Sequence, residues 1–145
     1  MNSRTSFRLA EPDDYSSVVA LDSAATHDPR RSILLQEWIG QRSCHLLLLD
    51  GVPAAYGVLH YHFFDNGFID MLMVGEPFRR RGLGALLLQH LVAQCERPKL
   101  FSSTNQSNRP MRALLQRCGF VESGSIDNLD PGDAEVVYFR AACPG

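Results

Sequence analysis

At 145 residues, with 45% hydrophobic and 21% charged side chains, the chain has the length and composition of one globular domain, residues 1–145, with a full core. A formal net charge of −2 excludes a global field that would draw it to nucleic acid or an anionic membrane. No apolar run approaches the ~20 residues of a membrane span, and the N-terminal MNSRTSFRLAEPDD lacks the apolar centre of a signal peptide.

Cys44, Cys95, Cys118 and Cys143 form no C-x-x-C pair. Reduced, buried thiols in a cytoplasmic protein are therefore expected, no metal is expected, and a catalytic thiol is the minority alternative.

In chain order, Phe7 to Ala10 reads as a first strand. Glu11-Pro12-Asp13-Asp14 opens a helix, since proline costs nothing in a first turn and the acids complement its positive end. Tyr15, Val18, Val19 and Asp22 continue at helical spacing. Asp28-Pro29 repeats the signal, with Asp28 as cap, for a second helix carrying Leu34, Leu35 and Trp38. Cys44 to Leu49 is a dense apolar strand closed by Asp50-Gly51, a hairpin turn. The next strand runs from Pro53 through AAYGVLHYHFF, and Asp65-Asn66-Gly67 turns the chain into a strand over Phe68 to Val74.

The densest chemistry follows. After Gly75 and Pro77 come Arg79-Arg80-Arg81-Gly82-Leu83-Gly84. Then Gly84, Leu87, Leu88, Leu91 and Cys95 recur at i, i+3, i+4, i+7 and i+11, one face of a helix. A strand, a glycine-containing loop and a helix start aim unsatisfied backbone N–H groups, and the positive end of the peptide dipoles, at an anion. The chemistry suits a pyrophosphate. The nucleoside-triphosphate loop is excluded because Ala85-Leu86 stand where Lys-Ser/Thr would follow. The dinucleotide fingerprint is excluded because Leu87 stands at its third glycine.

Lys99 to Ser103 is a further strand, and Asn108 to Cys118 a helix capped by Asn108 and stopped by Gly119. Phe120 to Ile126 and Glu135 to Arg140 read as two more strands, joined by an acidic loop over Asp127 to Asp133.

Arg79, Gly82 and Gly84 match basic-x-x-Gly-x-Gly between a strand and a helix. Asn108-Arg109-Pro110-Met111-Arg112-Ala113-Leu114-Leu115-Gln116-Arg117-Cys118-Gly119-Phe120 supplies an Asn, an apolar helical stripe and Gly-Phe opening a strand. In order and separation the two resemble the coenzyme A loop and the later helix of the GNAT superfamily of N-acetyltransferases, covering about half the chain closely.

The resemblance implies an α/β acyl-CoA N-acyltransferase fold, a mixed and mostly antiparallel splayed sheet flanked by helices. It implies acetyl-CoA as cosubstrate. Amides from Arg80, Arg81, Gly82, Leu83, Gly84 and Ala85 would hold its pyrophosphate, with Arg79 at the motif's basic position. Main-chain groups of Met73 and Val74 would pair with the pantetheine arm, and Asn108 would contact it, unless it is a helix cap alone. The acceptor would be a small-molecule or peptide amine. Partnership with nucleic acid or membrane is not expected, and a homodimer through an exposed strand edge stays open. The two-helix region would form part of the acceptor wall, where Trp38 faces either substrate or core.

Acetyl transfer to an amine requires removal of the amine's proton, support for the carbonyl oxygen and departure of the thiolate. The candidate oxyanion donor is the Val74 amide. The candidate base is Asp70, a carboxylate on an otherwise apolar strand, where burial would raise its pKa, on the same face as Val74. His60 and His62 share one face of the preceding strand. If Asp65-Asn66-Gly67 is a three-residue loop, His62 lies opposite Asp70. If only Asn66-Gly67 turn, Phe63 does, and both histidines face away.

The chain departs from the family at Leu115, where many members have a tyrosine that protonates the thiolate. Ser102, Ser103, Tyr138 and Cys118 are substitute donors, and a thiolate can also leave unassisted. The alternative function is a non-catalytic acyl-CoA-binding or sensor domain.

Overall fold

The structure, a computed structural model, describes residues 3–142, so Cys143 lies outside it. Seven strands form one mixed, mostly antiparallel sheet in the order β1-β2-β3-β4-β5-β7-β6. The chain divides into two compact units. One comprises the residues up to Leu59 with Met71–Leu91, the other His60–Asp70 with the residues from Val92 onward.

The first unit opens with β1 (Thr5–Leu9), antiparallel to β2 (Cys44–Leu49), which pairs in turn with β3 (Val52–Phe63). Between β1 and β2, Glu11 and Asp14 form a reciprocal capping box over a single 3-10 turn, Pro12–Asp14, that leads into α1 (Tyr15–Leu21). Asp28 caps α2 (Pro29–Gly40) by accepting from the Arg30 N–H at 3.0 Å, as its sequence signal predicts.

Alternation along β3 separates two packed layers. Tyr56 and Val58 enter the core with Val18, Leu21, Leu35, Trp38 and Ile39 of α1 and α2. Gly57 points the other way, where an added Cβ would lie 2.7 Å from Leu91 and 3.4 Å from Leu87 of α3 (Leu83–Gln94). Trp38 is thus a core residue rather than a substrate wall.

In the second unit β5 (Lys99–Asn105) pairs antiparallel with β7 (Asp133–Ala141), which pairs with the edge strand β6 (Val121–Asp130). Strand β4 (Asn66–Val74) runs parallel to β5 through Gly67↔Leu100, Phe68↔Phe101 and Ile69↔Ser102. Helix α4 (Arg109–Arg117) buries Leu115. The acidic loop expected over Asp127 to Asp133 is shorter: β6 continues to Asp130 and the turn is Pro131-Gly132, with Gly132 at φ 74°. Strand β6 reaches that far by absorbing register shifts between Glu122 and Ser125 and between Ile126 and Asp130. Gly124 and Asn128, both at positive φ, lie within them.

Candidate active site

Strand β4 ends at Val74, and a 3-10 turn, Glu76–Phe78, carries the chain to the arginines. Gly75 is buried against Leu21, Phe78 and the Ala54 carbonyl, so a Cβ there would meet Leu21 at 2.6 Å. This pins the entrance of the loop. Arg79 is extended, and its Nε donates to the Val74 carbonyl at 3.1 Å, tying the loop back to the end of the strand.

Arg80 (φ 66°) and Gly82 (φ 74°) are both left-handed, with Arg81 between them on the ordinary side. Alternating handedness of this kind turns successive N–H groups toward one concave point. Helix α3 begins at the next residue, its first amides unsatisfied within the helix. An added Cβ on Gly82 would meet nothing within 4 Å, so its positive φ, not crowding, calls for glycine. Arg79, Arg80 and Arg81 are exposed, and among the described residues none of the three makes a salt bridge. The loop thus joins converging donors, a helix start and three unneutralised cations, a set suited to a diphosphate.

The β3–β4 hairpin turns at Phe64-Asp65, with φ of 53° and 65°, and not at either position allowed by the sequence reading. Across the hairpin His60 meets Asp70 by side chain, Nε2 to Oδ2 at 3.1 Å. The His62 backbone N–H donates to His60 Nδ1 at 3.1 Å. A backbone amide can only donate, so Nδ1 is unprotonated and the proton of the neutral ring sits on Nε2, directed at Asp70. Asp70 is not buried as expected. Its side chain is 42% exposed. His62 is an exposed neighbour whose ring lies 5.1 Å from that of His60, and it bonds to the pair through its main chain.

Asn108 caps α4, its Oδ1 accepting from the Met111 N–H at 3.2 Å. Leu115 is fully buried and packs the core. Of the substitute donors, Ser102 and Ser103 are engaged and Tyr138 is fully buried. Ser102 Oγ donates to the Ile69 carbonyl, Ser103 Oγ to Glu135 at 2.7 Å, and the Tyr138 hydroxyl accepts from Arg112 Nε at 3.1 Å. Cys44 and Cys118 are free, buried thiols. Burial pushes Cys44 up to about 12 and raises Cys118 as well, which withholds the thiolate a nucleophile needs. Cys95 Sγ donates to the Arg97 carbonyl.

One polar cluster escaped the sequence reading. Asp22, 1% exposed, accepts from the Tyr56 hydroxyl, from Arg31 Nη1 at 2.9 Å and from the Ala24 N–H at 2.9 Å. Burial penalises its carboxylate, but the bonds from Tyr56, Arg31 and Ala24 outweigh it and hold its pKa below the usual range. The same burial, joined by the bond to Asp22, drives the Tyr56 phenol upward. Arg31 Nη1 also lies 3.8 Å from Met71 Sδ on β4.

A strand, a left-handed arginine-glycine loop and a helix start on a mixed sheet form a site suited to a diphosphate. The model of the Acetyltransferase (GNAT) family matches residues 9–120, and the chain belongs to that family. Among solved structures it is similar to a GNAT-family acetyltransferase from Bacillus cereus, with 28% identity and a TM-score of 0.90 over 97% of this chain and 99% of the other. It is also similar to the ribosomal-protein-S18-alanine N-acetyltransferase of Escherichia coli (21%, TM-score 0.83, 98% and 96%) and to Ard1 of Thermoplasma volcanium (17%, TM-score 0.82, 97% and 99%), both likenesses of fold. No curated protein matches the chain. Among the described residues no helix is long and apolar enough to cross a membrane.

Proposed function

We propose that residues 1–145 act as one acetyl-CoA-dependent N-acetyltransferase, in which a bound primary amine attacks the thioester directly. The observation that carries this is the left-handed pair Arg80 and Gly82 at the start of α3. Amides from Arg80 to Ala85 receive the pyrophosphate, and the exposed arginines raise the local potential. Arg79 does a second job by fixing the Val74 carbonyl. That holds the end of β4, where main-chain groups of Met73 and Val74 orient the pantetheine and the Val74 amide supports the carbonyl oxygen as charge builds on it.

Asp70 is the base. Its Oδ2 is occupied by His60, and on this exposed side chain Oδ1 takes the proton of the acceptor ammonium. His60, with both ring nitrogens engaged, positions Asp70. His62 contributes the N–H that fixes the His60 tautomer. The amine nitrogen bonds to the thioester carbon, the C–S bond breaks, and the thiolate leaves to be protonated by water, because Leu115 offers no proton.

Thiol release from acetyl-CoA with a panel of primary amines tests the reading. Asp70→Asn should lower kcat by ~10²–10⁴ with acetyl-CoA binding retained. Equal rates in wild type and Asp70→Asn would remove Asp70 from the mechanism. The buried Leu115 favours one competitor, an acyl-CoA-binding domain without catalysis. Thermal stabilisation by acetyl-CoA with no thiol released by any amine would establish that competitor instead.

A further inference from the structure

The second unit carries a sheet face with two chemically distinct zones. Register places Phe68, Phe101 and Phe139 side by side across β4, β5 and β7, with ring centroids 5.3 Å apart for Phe101 and Phe139. Phe63 bridges the first two, 4.8 Å from Phe68 and 5.1 Å from Phe101. The His60 ring lies 5.6 Å from Phe68, so the row of rings runs up to the His60–Asp70 pair. All four phenylalanines are only partly buried.

Two residues along β4 and β5 in the same direction, the character of the face changes. Asp70 follows Phe68, and Ser103 follows Phe101 with its hydroxyl on the Glu135 carboxylate. Two residues the other way along β5 stands Lys99, exposed and on the same parity. The face therefore reads carboxylates, rings, cation.

Resting on the N-acetyltransferase reading, we propose that this face is the acceptor site and that its acceptor is an amphiphilic primary amine, with the ammonium over Asp70 and Glu135 and an aromatic or branched apolar group over Phe68, Phe101 and Phe139. Carboxylates and ring faces both attract the ammonium end, while the rings gain most from covering by an apolar or aromatic body. Lys99 repels a second cation at the far end, which disfavours polyamines. A small arylalkylamine and a peptide beginning with an aromatic residue present the same group.

Saturation-transfer NMR titrations of the full chain without acetyl-CoA test this, using phenethylamine, ethylamine and spermidine. Phenethylamine should bind about tenfold or more tighter than either of the others. Phe101→Ala should remove that advantage and leave ethylamine unchanged, Phe101→Leu should keep most of it, and Glu135→Gln should weaken phenethylamine several-fold. A melting curve reports whether Phe101→Ala folds. If it does not, Phe101→Leu and Glu135→Gln decide.

Binding of both phenethylamine and a Phe-initiated tetrapeptide to wild type no tighter than that of ethylamine overturns the proposal, as does phenethylamine affinity unchanged in both Phe101→Ala and Glu135→Gln. Comparison with a Phe-initiated tetrapeptide tells the two acceptor sources apart, and tighter binding of either than of ethylamine supports the proposal. Thiol release is scored separately. Its absence with every amine defeats the acetyltransferase reading, whereas the binding ratios alone decide this one.

Discussion

A carboxylate as buried as Asp22 persists in charged form only where hydrogen bonds replace the water it has lost. Tyr56, Arg31 and the Ala24 amide do so, linking the end of α1 to α2 and to β3 in one node. Tyr56→Phe removes one donor at almost constant volume. We expect it to destabilise the fold by about 1–3 kcal/mol and to move the Asp22 pKa upward, so that acid unfolding begins at higher pH. Urea unfolding at pH 7 with a parallel acid titration measures both, and an unchanged midpoint would mean that water substitutes for the phenol. None of this was legible in sequence. Asp22 sits at helical spacing among apolar residues, and its partners lie 9 and 34 positions away. Asp70 was conspicuous because its neighbours are all apolar. Its burial was misjudged, since a strand's composition does not say which of its faces a helix covers. The shared face of His60 and His62 was readable from period two, but which of them meets Asp70 depended on the turn.

That turn shows why elements were legible while their joints were not. Asn66-Gly67 is a strong hairpin signal, yet Gly67 lies within β4 and the turn falls on Phe64-Asp65. The reason is packing. An added Cβ on Gly67 would lie 2.6 Å from Cys95 Sγ and 3.1 Å from Leu100, so the glycine admits the end of α3's chain rather than bending the hairpin. At Gly82 the opposite holds: space is open and the left-handed φ is what matters. Gly82→Ala should therefore cost about 1 kcal/mol in stability and weaken acetyl-CoA by more than that, because the amide array shifts as the strain relaxes. Gly82→Asn, which tolerates the left-handed region, should retain most of both. Calorimetric titration of acetyl-CoA with melting curves for the two variants checks this. Equal loss of affinity in Ala and Asn would show that added bulk, not backbone handedness, disables the loop.

For the whole molecule, the order of elements was readable because each carries its own period and punctuation, with Asp28-Pro29, Asp50-Gly51 and Gly119 marking ends where the structure has them. The placement of β7 between β5 and β6 was not, since a ladder such as Phe101↔Phe139 joins residues that no local pattern connects. The same long-range assembly buries a titrating group whose effect appears only in the stability of the whole. His45 on β2 is buried edge-on to His90 of α3, centroids 5.4 Å apart, and His90 stacks on Phe7 at 4.2 Å. Burial, assisted by repulsion from His90, lowers His45 to about 4 from an ordinary 6.5, and burial lowers His90 as well. Between those two values the unfolded chain binds a proton at His45 that the folded chain refuses, so stability rises with pH across the window. The contribution is complete above about pH 6.5 and fades as pH falls toward 4. By pH 4 the loss from His45 is about 2 kcal/mol, the full linkage value reduced for the ring's residual solvent contact. Wild type should thus melt several degrees lower at pH 5 than at pH 7, above the range where carboxylates such as Asp22 begin to protonate. His45→Phe keeps an aromatic ring against His90 but cannot bind a proton, so its melting temperature should fall by less over the same interval. Parallel slopes for the two proteins between pH 5 and pH 7 would show that a group other than His45 sets the acid limit of the fold.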